Sequence, residues 1–291
     1  MKPDSDFYKE EYRSDHLVTA KMKRIWAVEM ELLEKFDEVC RKHEIRYYLE
    51  FGSLLGAVRH RGFVPWDNDI DVSMMRRDYM RFMEVARGEF QEPYVLQDGA
   101  NGYGFFPFAK LLKSGTTALE IPDAPPGYHQ GIFIDIFPLD VVPDGSAESI
   151  AIYQAEVELW TTIVDPIGMC DQIDEGVQYR IGNDTVIDLV QRQPVERYHE
   201  FEQLCLDFSE ESEKVNVLPF HIRKAIRERK RDWYGEPVYL PFEWLNLPCP
   251  SHYHEVLTAE YRDYMTPIKG RSGHEKIFFD PDRSYLEYLK H

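Results

Sequence analysis

The first long amphipathic segment of the chain extends from about Val18 to His43. Apolar residues recur in it at steps of three and four: Trp26, Met30, Leu33, Phe36 and Cys40. This spacing places them on one face of a helix. We therefore expect a long helix that packs this face against a core.

Short apolar runs and helical patterns alternate after this helix. The run "IRYYLEFG" predicts a strand that stops at Gly52, and "LLGAVRH" predicts a short helix capped by Ser53. The run "DIDVSM" predicts a second strand, followed by a helix over "RRDYMRFMEVARGEF". The segments "FFPFAKLLKSGTTALEI" and "GIFIDIFPLD" supply further strand candidates. This alternation indicates an α/β or α+β fold with a sheet on one side and helices on the other.

The pattern becomes mainly helical after about residue 145, with few strand signals until "VYLPFEWLNLP". We predict a catalytic core over residues 1–145 and a mainly helical subdomain over 146–291. An extended segment near 238–248 is expected to return toward the core. The segment "YHEVLTAEYRDYM" predicts a further helix.

Composition excludes several classes of function. There are 34 Lys and Arg residues against 52 Asp and Glu, a net charge of -18, which opposes the attraction that nucleic-acid-binding proteins use. The 4 cysteines are far apart and form no CxxC pair, so neither a zinc ribbon nor a disulfide framework is indicated. The N-terminus is polar and acidic without an apolar leader, and we expect a cytoplasmic location.

Asp67, Asp69 and Asp71 stand on alternate residues after a hydrophobic approach. In a strand, Asp69 and Asp71 would share one face, about 7 Å apart, and could converge on one or two divalent cations. Asp135 is a lone acid in an otherwise apolar strand, which is costly to bury without a cation or hydrogen bonds. These residues predict a site for Mg²⁺ or Mn²⁺ built from Asp69, Asp71 and Asp135.

Four interpretations compete for the acidic run. A solvated acidic turn disagrees with the apolar residues that alternate with the acids, and an EF-hand needs a glycine where this chain has Val72. A DxD motif of a glycosyltransferase normally follows a larger nucleotide-binding half. The fourth is a nucleotidyltransferase-type site, in which an earlier Gly-Ser turn, here Gly52 and Ser53, binds phosphate oxygens.

The stretch "EFGSLLGAVRHRGFVPWDNDIDV", together with "GIFIDIFPLD", resembles the LicD family of cholinephosphotransferases, which is related to the fukutin-type ribitol-phosphate transferases. The resemblance implies an α+β fold with a nucleotidyltransferase-like mixed sheet flanked by helices. It also implies transfer of a phospho-substituent from a CDP-linked donor, most plausibly CDP-choline, to a hydroxyl of a glycan or glycolipid, with release of CMP. A nucleotidyltransferase that releases pyrophosphate, a DxD glycosyltransferase and a non-catalytic binding module remain alternatives.

Within this interpretation each candidate residue has a role. Asp69 and Asp71 would bridge the cations, and Asp135 would complete the site and accept the proton of the attacking hydroxyl. The expected ligands of the donor phosphates are two turn residues and four cations: Gly52, Ser53, Arg59, Arg61, Lys110 and Lys113. Basic residues concentrated at 221–231 predict either a solvated helix face or a contact with an anionic acceptor or with the inner face of the membrane.

Overall fold

The computed structural model describes residues 3–101, 106–121, 123–142, 146–208, 213–217, 229–268, 274 and 276–289. The α-helices are α1 Ala20–Lys42, α2 Phe51–His60, α3 Arg76–Glu89, α4 Ala147–Val164, α5 Pro166–Asp174, α6 Asn183–Gln191, α7 Pro194–Asp207 and α8 Tyr253–Tyr261. The strands are β1 Glu11–Arg13, β2 His16–Val18, β3 Tyr48–Leu49, β4 Asp71–Met75, β5 Tyr94–Gln97, β6 Ala109–Lys113, β7 Thr117–Leu119, β8 Ile132–Val141, β9 Lys214–Val217, β10 Arg229–Lys230, β11 Val238–Phe242, β12 Leu245–Cys249 and β13 Phe278–Asp280.

The main sheet is organised around β8. One edge of β8 pairs with β4 in parallel, and β4 pairs in turn with β3. The other edge pairs with β6 along its first half and with β9 along its last residues, both antiparallel. Because parallel and antiparallel pairs share one strand, the sheet is mixed. Together with the flanking helices it confirms the predicted α+β class.

Helix α1 confirms the long helix predicted from the apolar spacing. Its N-cap is Thr19, whose side chain accepts a hydrogen bond from the backbone N–H of Met22. The predicted apolar face is buried, and Trp26 stacks on Phe63 with the ring centroids 4.6 Å apart. The helix packs on β6 and β8, so it covers one face of the two strands that carry Lys110 and Asp135.

Two local expectations near the acidic run were wrong. Helix α2 already begins at Phe51, because the Glu50 side chain accepts from the Phe51 N–H and caps it, so Ser53 lies inside the helix. Strand β4 begins only at Asp71, so Asp69 lies in the loop before the strand rather than within it. The register between β4 and β8 is set by Asp71, which lies opposite Asp135.

The second half of the chain contains strands as well as helices and contributes to the main core. Helices α4 and α7 pack together around a small cluster that includes Trp160, Tyr198 and Phe201. Strand β9 nevertheless joins the main sheet, and the residues near 238–248 form the hairpin β11–β12, whose Phe242 and Leu247 belong to the main core. The division at residue 145 stays a prediction. Of the helices that the structure describes, none is both long enough and apolar enough to cross a membrane.

Candidate active site

The centre of the candidate site is a pair of carboxylates on adjacent parallel strands. Asp71 of β4 lies in register with Asp135 of β8, and the backbone N–H of Asp135 donates to Ile70 O at 2.9 Å. Register partners on neighbouring strands point to the same side of a sheet. Both residues are buried, with 7% of Asp71 and 5% of Asp135 exposed. The sheet therefore holds two carboxylates side by side, away from bulk water.

Asp67 and Asp69 join this pair from the loop that leads into β4. The loop is fixed by Trp26, whose indole N–H donates to Asp67 O at 2.8 Å. Gly52 allows the close approach of Asp67, because a Cβ on Gly52 would collide with the carboxylate oxygen Oδ2 of Asp67. The requirement for glycine at position 52 therefore comes from the acid loop that packs against the start of α2.

Two cationic side chains pair with the acids. Lys110 lies opposite Asp135 across the β6–β8 ladder, and its Nζ is 2.8 Å from Asp135 Oδ1 and 3.0 Å from Glu120 Oε2. The ammonium also lies 3.7 Å from the centroid of the Phe133 ring. His274 Nδ1 is 3.1 Å from Asp69 Oδ2. Lys110 and His274 are thus the close counterions of Asp135 and Asp69 among the described residues.

Negative charge is nevertheless in excess, and the pKa values reflect it. Burial, together with the charges of Asp69 and Asp135, raises the pKa of Asp71 well above its usual value. Burial raises the pKa of Asp135 to about 6, although Lys110 opposes the shift. Burial and the neighbouring Asp69 raise the pKa of Asp67 in the same way. Asp69 differs: burial alone would raise its pKa, but the hydrogen bond and charge of His274 hold it below the usual value.

These carboxylates were tested for their fit to a divalent cation. In the part of the chain that the structure describes, no three His, Cys, Asp or Glu side chains are already grouped as a metal-ligand set. The chemistry of the donors nevertheless fits a hard cation, because all of them are carboxylate oxygens. Their raised pKa values show that the cluster holds more acids than its two cations can balance. A bound divalent cation would correct that imbalance.

The expected phosphate-binding residues fall into different environments. Ser53 accepts a hydrogen bond from the Asp71 N–H at 2.9 Å and therefore helps to hold the start of β4. Arg59 is partly buried, donates to Tyr264 O at 2.8 Å and has no carboxylate partner among the described residues. Arg61 is exposed at the end of α2. Lys113 is three positions from Lys110 in β6, hence on the other face, where it contacts Glu31 at 2.6 Å.

A pocket of about 310 Å³ opens beside Asp67. Gly52, Arg59 and Trp66 line it on the side of the acidic loop. Tyr261 and Tyr264, from the end of α8 and just beyond it, line the opposite side together with Asp263. The pocket thus combines aromatic rings, two carboxylates and one guanidinium next to the acidic cluster.

Comparison with known proteins identifies the part of the chain that carries this geometry. Residues 44–171 match the family model described as "LicD/FKTN/FKRP, nucleotidyltransferase domain". This segment, which is similar to the LicD family, contains Asp67, Asp69, Asp71 and Asp135, and the match confirms the resemblance inferred from the two motifs.

Two curated relatives show what this chain is similar to. Lipopolysaccharide cholinephosphotransferase LicD of Haemophilus influenzae is 36% identical over 115 residues, which are 40% of this chain and 43% of that protein. Ribitol 5-phosphate transferase FKRP of Homo sapiens is 53% identical over 34 residues, 12% of this chain and 7% of that protein. The matched part spans less than half the length of either relative.

The sequence does not reveal several residues that surround the acidic cluster. The spacing of His274 from the acids in the sequence is uninformative. Glu120 follows no motif, and Asp67 belongs to the acidic run without a predicted role. Only Glu29 carried a usable signal: it falls between Trp26 and Leu33 on the apolar face of α1, where a charged residue is unexpected.

The basic segment at 221–231 is only partly open to description. Residues 218–228 lie outside the described residues, so the predicted contact with an acceptor or with the membrane is not addressed there. The expectation was wrong for Arg229, which is fully buried in β10 rather than exposed on a helix face. Its guanidinium pairs with Glu50 at 2.7 Å and with Glu260 at 2.9 Å, and these partners explain its burial.

Proposed function

We propose that this protein is a metal-dependent phosphotransferase that moves phosphocholine from CDP-choline to a hydroxyl of a glycan or glycolipid and releases CMP. The observation that carries the proposal is the pairing of Asp71 and Asp135 on adjacent strands, with Asp67 and Asp69 beside them. The names of the two relatives, a cholinephosphotransferase and a ribitol 5-phosphate transferase, support a transferred group that contains phosphate.

Asp69, Asp71 and Asp135 would hold Mg²⁺ or Mn²⁺ in this proposal. The cation, when bound, would neutralise the charge of the donor diphosphate and of the phosphoryl group in transfer. Phosphoryl transfer requires positioning and charge stabilisation more than covalent catalysis. A site made of acids and a few cations is therefore sufficient for the reaction.

Two further residues would act directly on the substrates. Arg59 has no carboxylate partner among the described residues and lines the pocket beside Asp67, and these observations support a contact with a phosphate oxygen of the donor. Asp135 would accept the proton of the attacking hydroxyl.

The pocket supports choline as the carried group. Trp66, Tyr261 and Tyr264 present aromatic surface, and Asp263 adds a carboxylate. A quaternary ammonium is attracted both by the faces of aromatic rings and by carboxylates. Ribitol, which is neutral and hydroxyl-rich, would hydrogen-bond to a carboxylate but would gain no cation–π attraction from the rings. This chemistry favours phosphocholine over ribitol phosphate.

Product analysis tests the proposal. The purified protein is incubated with Mg²⁺ and, separately, with CDP-choline, CDP-ribitol, CTP or a UDP-sugar, and the released nucleotide is identified. We expect CMP from CDP-choline and no release by Asp71→Asn. Pyrophosphate from CTP would establish the nucleotidyltransferase alternative, and UDP would establish the glycosyltransferase. Release of CMP from CDP-ribitol alone would support the proposed type of reaction but would refute phosphocholine as the transferred group.

Donor binding separates the phosphate contact from the choline contact. Arg59→Ala should weaken the binding of CDP and of CDP-choline equally, because both contain the diphosphate. Tyr261→Leu should weaken only CDP-choline, by about fivefold for the loss of roughly 1 kcal/mol of cation–π attraction. Calorimetric titration measures both. Equal weakening of CDP and CDP-choline by Tyr261→Leu would remove the support for a choline pocket.

A further inference from the structure

Glu29 is a completely buried carboxylate that the proposed reaction has not used. It lies in the middle of α1 and is 0% exposed. Neither Oε1 nor Oε2 has a hydrogen-bond partner among the described residues. It also lies outside residues 44–171, the segment that matches the LicD-family model. Neither the family match nor the acidic motif therefore gives this residue a role.

The position of Glu29 points it at the acidic cluster. Trp26 and Glu29 are three residues apart on α1 and thus share a face, and Trp26 donates to the backbone of Asp67. The charged neighbour of Glu29 is Asp69, and Glu29 is in turn among the neighbours of Asp67. Helix α1 packs on β6 and β8. Glu29 therefore adds a carboxylate to the cluster next to Asp67 and Asp69 of the loop before β4.

Such a residue is costly unless something cationic reaches it. A buried carboxylate without hydrogen bonds loses the solvation that stabilised it in water. The nearby cations are already engaged, since Lys110 pairs with Asp135 and Glu120, and His274 pairs with Asp69. A leucine at this position would extend the apolar face of α1 without that cost. The carboxylate is explained if a further positive charge enters the cluster during function.

We infer that Glu29 is a carboxylate of the divalent-cation site, supplied by α1 to the cluster that Asp69, Asp71 and Asp135 form. This inference rests on the proposed function, because it uses the cation proposed there. Glu29 acts either by direct ligation or through the water shell of the cation. Residues of both kinds commonly change metal affinity by 10-fold to 100-fold when they are replaced.

Metal affinity provides a test that is independent of turnover. Binding of Mn²⁺ to the full chain is measured by calorimetry in the wild type, Glu29→Gln and Glu31→Gln. Glu31 is the matched control because it is two residues away on the same helix but pairs with Lys113 and the hydroxyl of Tyr94. We expect at least tenfold weaker binding for Glu29→Gln and an unchanged affinity for Glu31→Gln.

Thermal unfolding in EDTA excludes a folding defect. Glutamine has the shape of glutamate without its charge, so Glu29→Gln should unfold at the wild-type temperature or above, and the increase caused by Mn²⁺ should be smaller than in the wild type. Wild-type affinity of Glu29→Gln alongside lost binding by Asp71→Asn would overturn the inference and leave the proposed function intact. Absence of Mn²⁺ binding by the wild type would overturn both.

Discussion

Two sets of buried charges in this protein follow opposite rules. In the first set, each anion is paired with a cation. The Arg76 guanidinium donates to both carboxylate oxygens of Asp140, at 2.6 and 2.5 Å. Both side chains are almost fully buried. Arg229 pairs in the same way with Glu50 and Glu260. The acidic cluster instead gathers Asp67, Asp69, Asp71, Asp135 and Glu29 around two cations.

The difference separates buried charges that hold the fold together from those that would serve the proposed reaction. The Arg76 and Arg229 pairs connect elements that are far apart in the chain, such as α3 with β8 and β10 with the start of α2. Their charges are satisfied within the protein, so nothing further needs to bind. The acidic cluster is not balanced within the described part of the chain, and burial there raises several carboxylate pKa values. Such an imbalance of charge lowers the stability of the fold and is typical of binding sites.

Breaking a balanced pair should produce the largest loss of stability. Arg76→Met removes the guanidinium at similar volume and leaves Asp140 buried without its partner, which should lower the free energy of unfolding by about 3 to 5 kcal/mol. Urea denaturation measures the loss. The double variant Arg76→Met/Asp140→Leu should recover part of it, because the charge of Asp140 is gone while buried Glu202 still lacks Arg76, its neighbour at 3.9 Å. A loss below about 1 kcal/mol in the single variant would contradict the structural role given to this pair.

The same kind of change in the acidic cluster should affect activity instead of stability. Asp71→Asn removes one charge from the cluster, so CMP release from CDP-choline should fall at least about a hundredfold. The free energy of unfolding in EDTA should stay constant or increase, because a repulsive buried charge has gone. Asp184→Asn, exposed on α6, is the control and should change neither quantity. Normal turnover by Asp71→Asn would reject the site.

The pH dependence of stability should separate the cluster from the rest of the molecule. The pKa of Asp135 is raised by burial from 3.8 to about 6, so its contribution to stability is full below about pH 4 and is lost as the pH rises to about 6. Without divalent cations, the stability of the wild type relative to Asp135→Asn should therefore fall over this interval by roughly 2 to 3 kcal/mol. Urea denaturation at each pH gives the difference. Mg²⁺ should reduce the fall, and a difference that is constant with pH would contradict the shift.

A methyl group added at Gly52, against the loop that carries Asp67, should have an effect of intermediate size on turnover. In Gly52→Ala the new methyl group would displace the Asp67 carboxylate, which should lower turnover by about tenfold through loss of position rather than of charge. Gly88→Ala is the matched control, because that helical glycine has open space around it. It should leave turnover unchanged and raise stability by up to about 1 kcal/mol. Unchanged turnover in Gly52→Ala would show that the position of Asp67 is not critical.

The smallest effect is expected at Lys113, which the sequence placed among the phosphate ligands. Its ion pair with Glu31 is partly exposed, with 21% and 38% of the two side chains accessible. Lys113→Ala should therefore cost no more than about 1 kcal/mol of stability and leave the affinity for CDP unchanged, as calorimetry would show. A large loss of CDP binding would place Lys113 back among the donor ligands.

The regular elements and the central acids could be predicted because they depend on local patterns. The spacing of apolar residues fixed α1, and the apolar run around Asp135 predicted β8. The resemblance of two motifs to the LicD family predicted the mixed sheet. The boundaries at Ser53 and Asp69 were wrong because they depend on side chains rather than on periodicity: Glu50 caps α2 earlier, and Asp71 starts β4 later.

Sequence by itself determined that this chain has a long amphipathic helix, an α+β core and carboxylates on alternate residues, because these features depend on local patterns. Only the tertiary structure decided which charges meet. Lys110 and Lys113 are three residues apart in β6, so their side chains point to opposite faces of the sheet. Lys110 therefore pairs with Asp135, and Lys113 pairs with Glu31. Glu29 and His274 reach the acids from opposite ends of the chain. Electrostatic interactions depend on distance in space. That distance is set by the folded sheet and helix and not by the order of the residues.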